Sequence, residues 1–184
     1  HNPINVDIKN VLITFGGVDP ANLTLKCLNA IFDDAVDRAI KIKVIVGPGY
    51  RCVTELKKRI NFYGDSVELV EKTSRISDYM LEAGLVFTSG GRTVYEVASL
   101  LRPMCVICQN PRELTHSFAR PENGIVNLGL YSNVSDHHIK EVFCRLADGF
   151  EARKMMVEKL PKNAFQSGKK RVLKMINNLM SEEI

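Results

Sequence analysis

Tryptophan is absent, and aromatic residues make up only 7% of the chain. Base-stacking surfaces need rings set among cations, and here the lysines and arginines are scattered. Only Lys57-Lys58-Arg59 and Lys169-Lys170-Arg171 run together. Nucleic acid is therefore not an expected partner. No signal peptide and no apolar run of about 18 residues occurs, so the expected setting is cytoplasmic and no membrane span is predicted. The pattern G-x-G-x-x-G is missing, and the strand ending at Val46 meets Gly47-Pro48 instead of an acid for a nicotinamide ribose, which disfavours a dehydrogenase. G-x-x-x-x-G-K-[ST] and G-x-S-x-G are missing too, which disfavours a P-loop NTPase and a hydrolase with a nucleophile elbow. His137 and His138 are adjacent and point apart on a helix, poor geometry for a metal. The odd set of cysteines (Cys27, Cys52, Cys105, Cys108 and Cys144) suits a reducing compartment. Cys105 and Cys108 have C-x-x-C spacing but fall in a strand, where residues three apart face opposite ways. Neither a metal nor a cofactor is expected.

What remains is a chain of 184 residues, 45% hydrophobic and 25% charged, enough for one full core. Its net charge of +4 suits an anionic small molecule or a reaction at a membrane surface. Residues 1–10 are polar and read as a linker or chain edge, with one domain from 11 to 184. Strands are predicted at Val11–Phe15, Ile42–Val46, Val67–Val70, Gly84–Phe87, Pro103–Cys108 and within Gly124–Gly129. Helices are predicted from Asp19-Pro20 to about Phe32, at Arg51–Phe62, Ile76–Ala83 and from Thr93 onward. Further helices are predicted at Asn110–Arg120, Asp136–Leu146, Phe150–Leu160 and Gln166–Met180. Strand–helix alternation with near-continuous apolar strands predicts an α/β fold, a Rossmann-like parallel sheet between two helical layers. Ligands of such sheets bind beyond the carboxyl ends of the strands.

Two stretches carry chemistry. Val86-Phe87-Thr88-Ser89-Gly90-Gly91-Arg92-Thr93-Val94-Tyr95-Glu96 reads as a strand end, a turn with two glycines and a helix start. Free amides at a helix start, beside glycines that let a ligand approach, form an anion site. Helical spacing turns Val94, Val97, Ala98 and Leu101 to the sheet, and Thr93 and Glu96 to another face. A hydroxyl for phosphate and a carboxylate for ribose suit a nucleotide, although Glu96 could equally be a solvated acid paired with Arg92. Phe15-Gly16-Gly17-Val18-Asp19-Pro20 repeats the scheme after the first strand, with Asp19 as N-cap and Pro20 as the first helical residue. On the predicted helix 110–120, Arg112, Glu113 and His116 share a polar face. It is either a sugar or phosphate contact or a solvated surface. Val172, Met175, Ile176 and Met180 line one side of the last helix, which either docks a partner or packs on this domain.

Phe15-Gly16-Gly17-Val18-Asp19-Pro20-Ala21-Asn22-Leu23-Thr24 and Thr88–Glu96 together resemble the signatures of the C-terminal domain of GT-B nucleotide-sugar enzymes. That group includes the GlcNAc transferase of peptidoglycan synthesis. The Gly-Gly-x-Asp-Pro version is most similar to the nucleotide-sugar hydrolase of pseudaminic acid synthesis and to spore-coat polysaccharide proteins. The resemblance covers roughly Val11 to Gly129. It implies a nucleotide diphosphate sugar, most often a UDP sugar. Gly16, Gly17, Asp19 and Asn22 would lie along the diphosphate or sugar, and Ser89, Gly90, Gly91, Arg92 and Thr93 along the diphosphate. Glu96 would bind the ribose, backbone near Val70 and Glu71 the base, and Asn110, Glu113 and His116 the sugar. No catalytic residue is assigned, because the resemblance places acceptor and catalytic groups in an N-terminal half absent from this sequence. The chain then reads as the C-terminal half of a GT-B fold, joined to the other half in cis or as a separate subunit, with any peripheral membrane contact made through that half. Alone it should catalyse little. The rival expectation is a non-catalytic subunit that uses the same fold to dock a partner.

Overall fold

The computed structural model describes residues 4–160 and 165–181. The strands are β1 Asn10–Ile13, β2 Lys41–Val46, β3 Val67–Glu71, β4 Leu85–Thr88, β5 Met104–Cys108 and β6 Val126–Leu130. The helices are α1 Leu23–Asp37, α2 Val53–Tyr63, α3 Ile76–Glu82, α4 Thr93–Ser99, α5 Pro111–Leu114, α6 Asp136–Asp148, α7 Phe150–Lys159 and α8 Gly168–Ser181. All strand pairs are parallel, in the order β3-β2-β1-β4-β5-β6. The chain builds outward from β1 to β3, then crosses back to place β4 beside β1. That reversal is the switch point at which such sheets bind ligands.

Side chains alternate along the strands, as a period of two requires. Val11, Ile13, Val44, Phe87, Cys105 and Ile107 join the core under α1 and α6, with Leu28, Ile31, Ile139 and Phe143. Leu12, Ile45, Val86, Met104, Val106 and Cys108 join the core under α3 and α4, with Met80, Val94, Val97 and Ala98. The C-x-x-C pair is thus divided between two cores. Burial pushes the Cys105 thiol up to about 12 and that of Cys108 upward as well, so both behave as small apolar residues.

Residues 4–10 are tied to the domain. Ile8 is buried against Gly84. The fully buried Arg153 guanidinium donates to the carbonyls of Leu146 and Ala147, at the end of α6, and of Asn5 and Val6. A cation at a helix carboxyl end is electrostatically favoured.

Two helices differ from expectation. α1 begins at Leu23, later than predicted, and runs on to Asp37. The helix predicted for 110–120 is only Pro111–Leu114. Beyond it, tertiary contacts override helix propensity: His116 bonds to the Gly90 carbonyl, and the Phe118 ring stacks on Tyr95 at 4.9 Å between centroids. Phe165 closes that cluster edge-on, 4.7 Å from Phe118. Val172, Met175 and Ile176 of α8 are exposed, so this face does not pack on the domain as one expectation had it. Met180 lies outside the side chains described. Among the described residues no helix is long and apolar enough to cross a membrane.

Candidate functional site

Because β1 and β4 are neighbours, the bends that follow them share one rim. They line a cleft of about 270 Å³ with Phe15, Gly16, Gly17, Asp19, Ser89, Arg92, Thr93, Gln109, Asn110 and Glu113. Open space surrounds Gly16 and Gly17: a Cβ added to either would meet nothing within 4 Å, and Gly16 has a φ of +81°. Behind the bend the packing is tight. A Cβ on Gly47 would lie 2.4 Å from the Gly17 Cα, and Gly49 N–H donates to the Gly17 carbonyl at 2.9 Å. The Gly-Pro-Gly after β2, read from sequence only as a strand stop, is the backing of the first bend.

Asp19 caps α1, but from farther away than an N-cap position. It has a φ of 44°, and its two carboxylate oxygens accept from the amides of Leu23 at 2.9 Å and Thr24 at 2.8 Å. The N-cap position itself is Asn22, whose side chain accepts from the Tyr50 hydroxyl. The start of α1 is therefore closed by the protein's own anion, and Asp19 and Asn22 are engaged in holding the bend.

The second bend differs. Among the described residues no side chain caps α4, as none caps α2, α3 or α7, whereas Asp19, Asn110 and Ser135 cap α1, α5 and α6. Ser89 is buried, Thr93 half-buried and Arg92 exposed. Gly90 does not need a positive φ, but its place is tight: a Cβ there would meet Cys108 Sγ at 3.0 Å and the Glu113 Cβ at 3.1 Å, so these side chains would have to give by a few tenths of an ångström. Its amide is not free. Gly90 N–H and Gln109 N–H both donate to Glu113 Oε2, at 3.1 and 2.8 Å. His116 Nδ1–H donates to the Gly90 carbonyl at 2.6 Å. Asn110 accepts from Glu113 N–H at 3.1 Å as the cap of α5. Glu113 and His116 thus converge on the Gly90 turn, and Arg112 stays exposed outside it.

Glu96 is exposed on the first turn of α4, and no ion pair with Arg92 forms among the described residues. Val70 and Glu71 end β3, two strands from β1, and do not line the cleft. The Glu71 carboxylate pairs with Lys57 at 2.7 Å.

Gln109 was not singled out from the sequence. Its side-chain amide donates to the Phe15 carbonyl at 2.9 Å, tying the end of β5 to the first bend across β4. Its place just after a strand, at the carboxyl rim, was the available signal.

A solved protein from Listeria monocytogenes, assigned as a UDP-N-acetylglucosamine 2-epimerase, superposes on 99% of this chain and 49% of its own, with a TM-score of 0.70 at 18% identity. MurG from Acinetobacter baumannii matches 92% of this chain and 50% of its own, with a TM-score of 0.65 at 16% identity. The C-terminal CMP-Kdo binding domain of WaaA from the same organism matches 86% of this chain and 90% of its own, with a TM-score of 0.60 at 13% identity. The fold is that of the C-terminal half of a GT-B protein. No family model matches the sequence. An uncharacterized protein of Methanocaldococcus jannaschii is 34% identical over 108 residues, 58% of this chain. The chain spans 22% of that relative and about half of the first solved one.

Proposed function

We propose that this domain binds the nucleotide diphosphate sugar, with UDP as the expected nucleotide, of a GT-B enzyme that builds cell-surface polysaccharide in the cytoplasm. The observation that carries the reading is the cleft at the β1/β4 switch point, lined by Gly16 and Gly17 of the first bend and by Ser89, Arg92 and Thr93, which flank Gly90 and Gly91 of the second. The diphosphate belongs on the α4 side. There the helix start lacks a side-chain cap and Thr93 offers a hydroxyl, whereas Asp19 repels an anion from α1. Glu96, unpaired with Arg92, faces the ribose, and backbone near Val70 and Glu71 takes the base. Asn110, Glu113 and His116 border the sugar. The resemblance to the pseudaminic acid hydrolase and spore-coat proteins supports a place in that branch, with transfer or hydrolysis completed by an N-terminal half in cis or in another subunit.

Titration with UDP, followed by amide NMR, tests this. Shifts at Gly16, Gly17, Gly91 and Thr93 are expected. Saturating UDP and CMP that move none of them would overturn the reading. The exposed apolar face of α8 favours a covered surface, which either the N-terminal half or the partner of a non-catalytic subunit would supply. Nucleotide binding separates the two, because only the enzyme half needs it.

A further inference from the structure

We propose that Glu113 is a resident stand-in for the ligand's anion, seated on the Gly90 and Gln109 amides until a phosphate displaces it. This rests on reading the cleft as a diphosphate site. One oxygen, Oε2, collects two backbone N–H groups, at 3.1 and 2.8 Å. Two amides converging on one anionic oxygen is how protein backbone holds phosphate. No lysine or arginine holds this carboxylate among the described residues; amides and the cleft are its surroundings. An anion held by amides alone is exchangeable for another of higher charge.

The carrier is short and its outer side is open to solvent. α5 is a single turn, Pro111–Leu114, with Pro111, Arg112 and Leu114 exposed on its outer side. Space exists for the exchange, since a Cβ on Gly91 would meet only Ser89 Oγ at 3.4 Å and Glu113 Oε1 at 3.7 Å. His116 also bonds to Gly90, through its carbonyl, and is itself joined to α5 by its N–H, which donates to the Glu113 carbonyl at 3.3 Å. Displacement therefore carries the state of the cleft to α5, the segment that borders the sugar.

The test compares wild type, Glu113→Gln and Glu113→Ala by calorimetry with UDP and with inorganic pyrophosphate, while amide NMR follows Gly90, Gln109, Gly91 and Thr93. Removing the competing charge should tighten pyrophosphate binding roughly tenfold, the scale of one charged hydrogen bond. In wild type, Gly90 and Gln109 should shift with ligand together with Gly91 and Thr93. If Gly91 and Thr93 shift while Gly90 and Gln109 stay put, or if folded variants bind no tighter than wild type, Glu113 is a fixed strut and the proposal falls alone. The wild-type shifts decide even if both variants fail to fold. If no folded form binds either ligand, the diphosphate reading falls and takes this proposal with it.

Discussion

Replacing Asp19 by alanine should weaken the fold and open a second anion site. The carboxylate is buried and accepts from the Leu23 and Thr24 amides at 2.9 and 2.8 Å, and both recipient residues are buried too. Loss of a helix cap costs about 0.5 to 2 kcal/mol. Leaving a buried donor unsatisfied costs about 1 to 3 kcal/mol. These terms overlap, since they count the same amides, so they are not added and the larger stands: the expected loss is about 1 to 3 kcal/mol. At roughly 2 to 4 °C per kcal/mol for a chain of this size, Tm should fall by about 2 to 12 °C. Asp19→Asn keeps one acceptor oxygen and should fall between the two. Urea unfolding followed by circular dichroism should show a lower midpoint at unchanged slope. Phosphate or sulfate should then raise the Tm of Asp19→Ala more than that of wild type, by binding the vacated helix start. An Asp19→Ala protein within about 0.5 kcal/mol of wild type would refute the capping argument. Equal stabilisation of both proteins by phosphate would refute the claim that Asp19 closes α1 to anions.

Other perturbations probe other joints of the structure. Arg153→Met keeps the bulk but removes the donors to four carbonyls; the fold should lose about 2 to 4 kcal/mol, and amide exchange at residues 5–8 should accelerate, while unchanged exchange would deny the tie. Gly47→Ala sets a Cβ 2.4 Å from the Gly17 Cα, a clash no rotamer relieves, so UDP affinity should drop along with stability, as calorimetry and thermal melts would show. Glu96→Ala should cost UDP affinity about 1 to 3 kcal/mol, and an unchanged Kd would remove Glu96 from the ribose contact. The Lys140 ammonium, hydrogen-bonded to Asp34, holds that carboxyl below its ordinary 3.8. A depressed folded-state value contributes stability above the unfolded value that is lost as pH falls through the folded one. Asp34→Asn should therefore flatten the stability curve below about pH 4, and an unchanged acid limb would contradict the assignment.

Much of this was legible in one dimension. Buried parallel strands must be short apolar runs with opposite faces filled in turn, so Val11–Ile13, Val44–Val46 and Leu85–Phe87 announce themselves. Gly16-Gly17 and Gly90-Gly91 announce bends at strand ends, and their motifs resemble those of the GT-B half. Propensity misled at 110–120, where contacts distant in sequence decide the backbone: His116 to Gly90, Phe118 to Tyr95. It also named Asp19 as N-cap and Pro20 as first helical residue, whereas the N-cap is Asn22, α1 starts at Leu23, Pro20 lies in the turn before it, and the Asp19 carboxylate reaches the Leu23 and Thr24 amides from outside the helix.

By itself the sequence determined which segments are strands, which bends lack Cβ atoms and that a helix follows each bend, because these follow from local periodicity and backbone sterics. Only the tertiary structure decided that β4 returns beside β1, that Gln109 ties β5 to the first bend, and that Glu113 occupies the Gly90 amide. Those facts depend on which remote segments pair across the sheet, and pairing is settled by burial of both faces at once, not by any short stretch of chain.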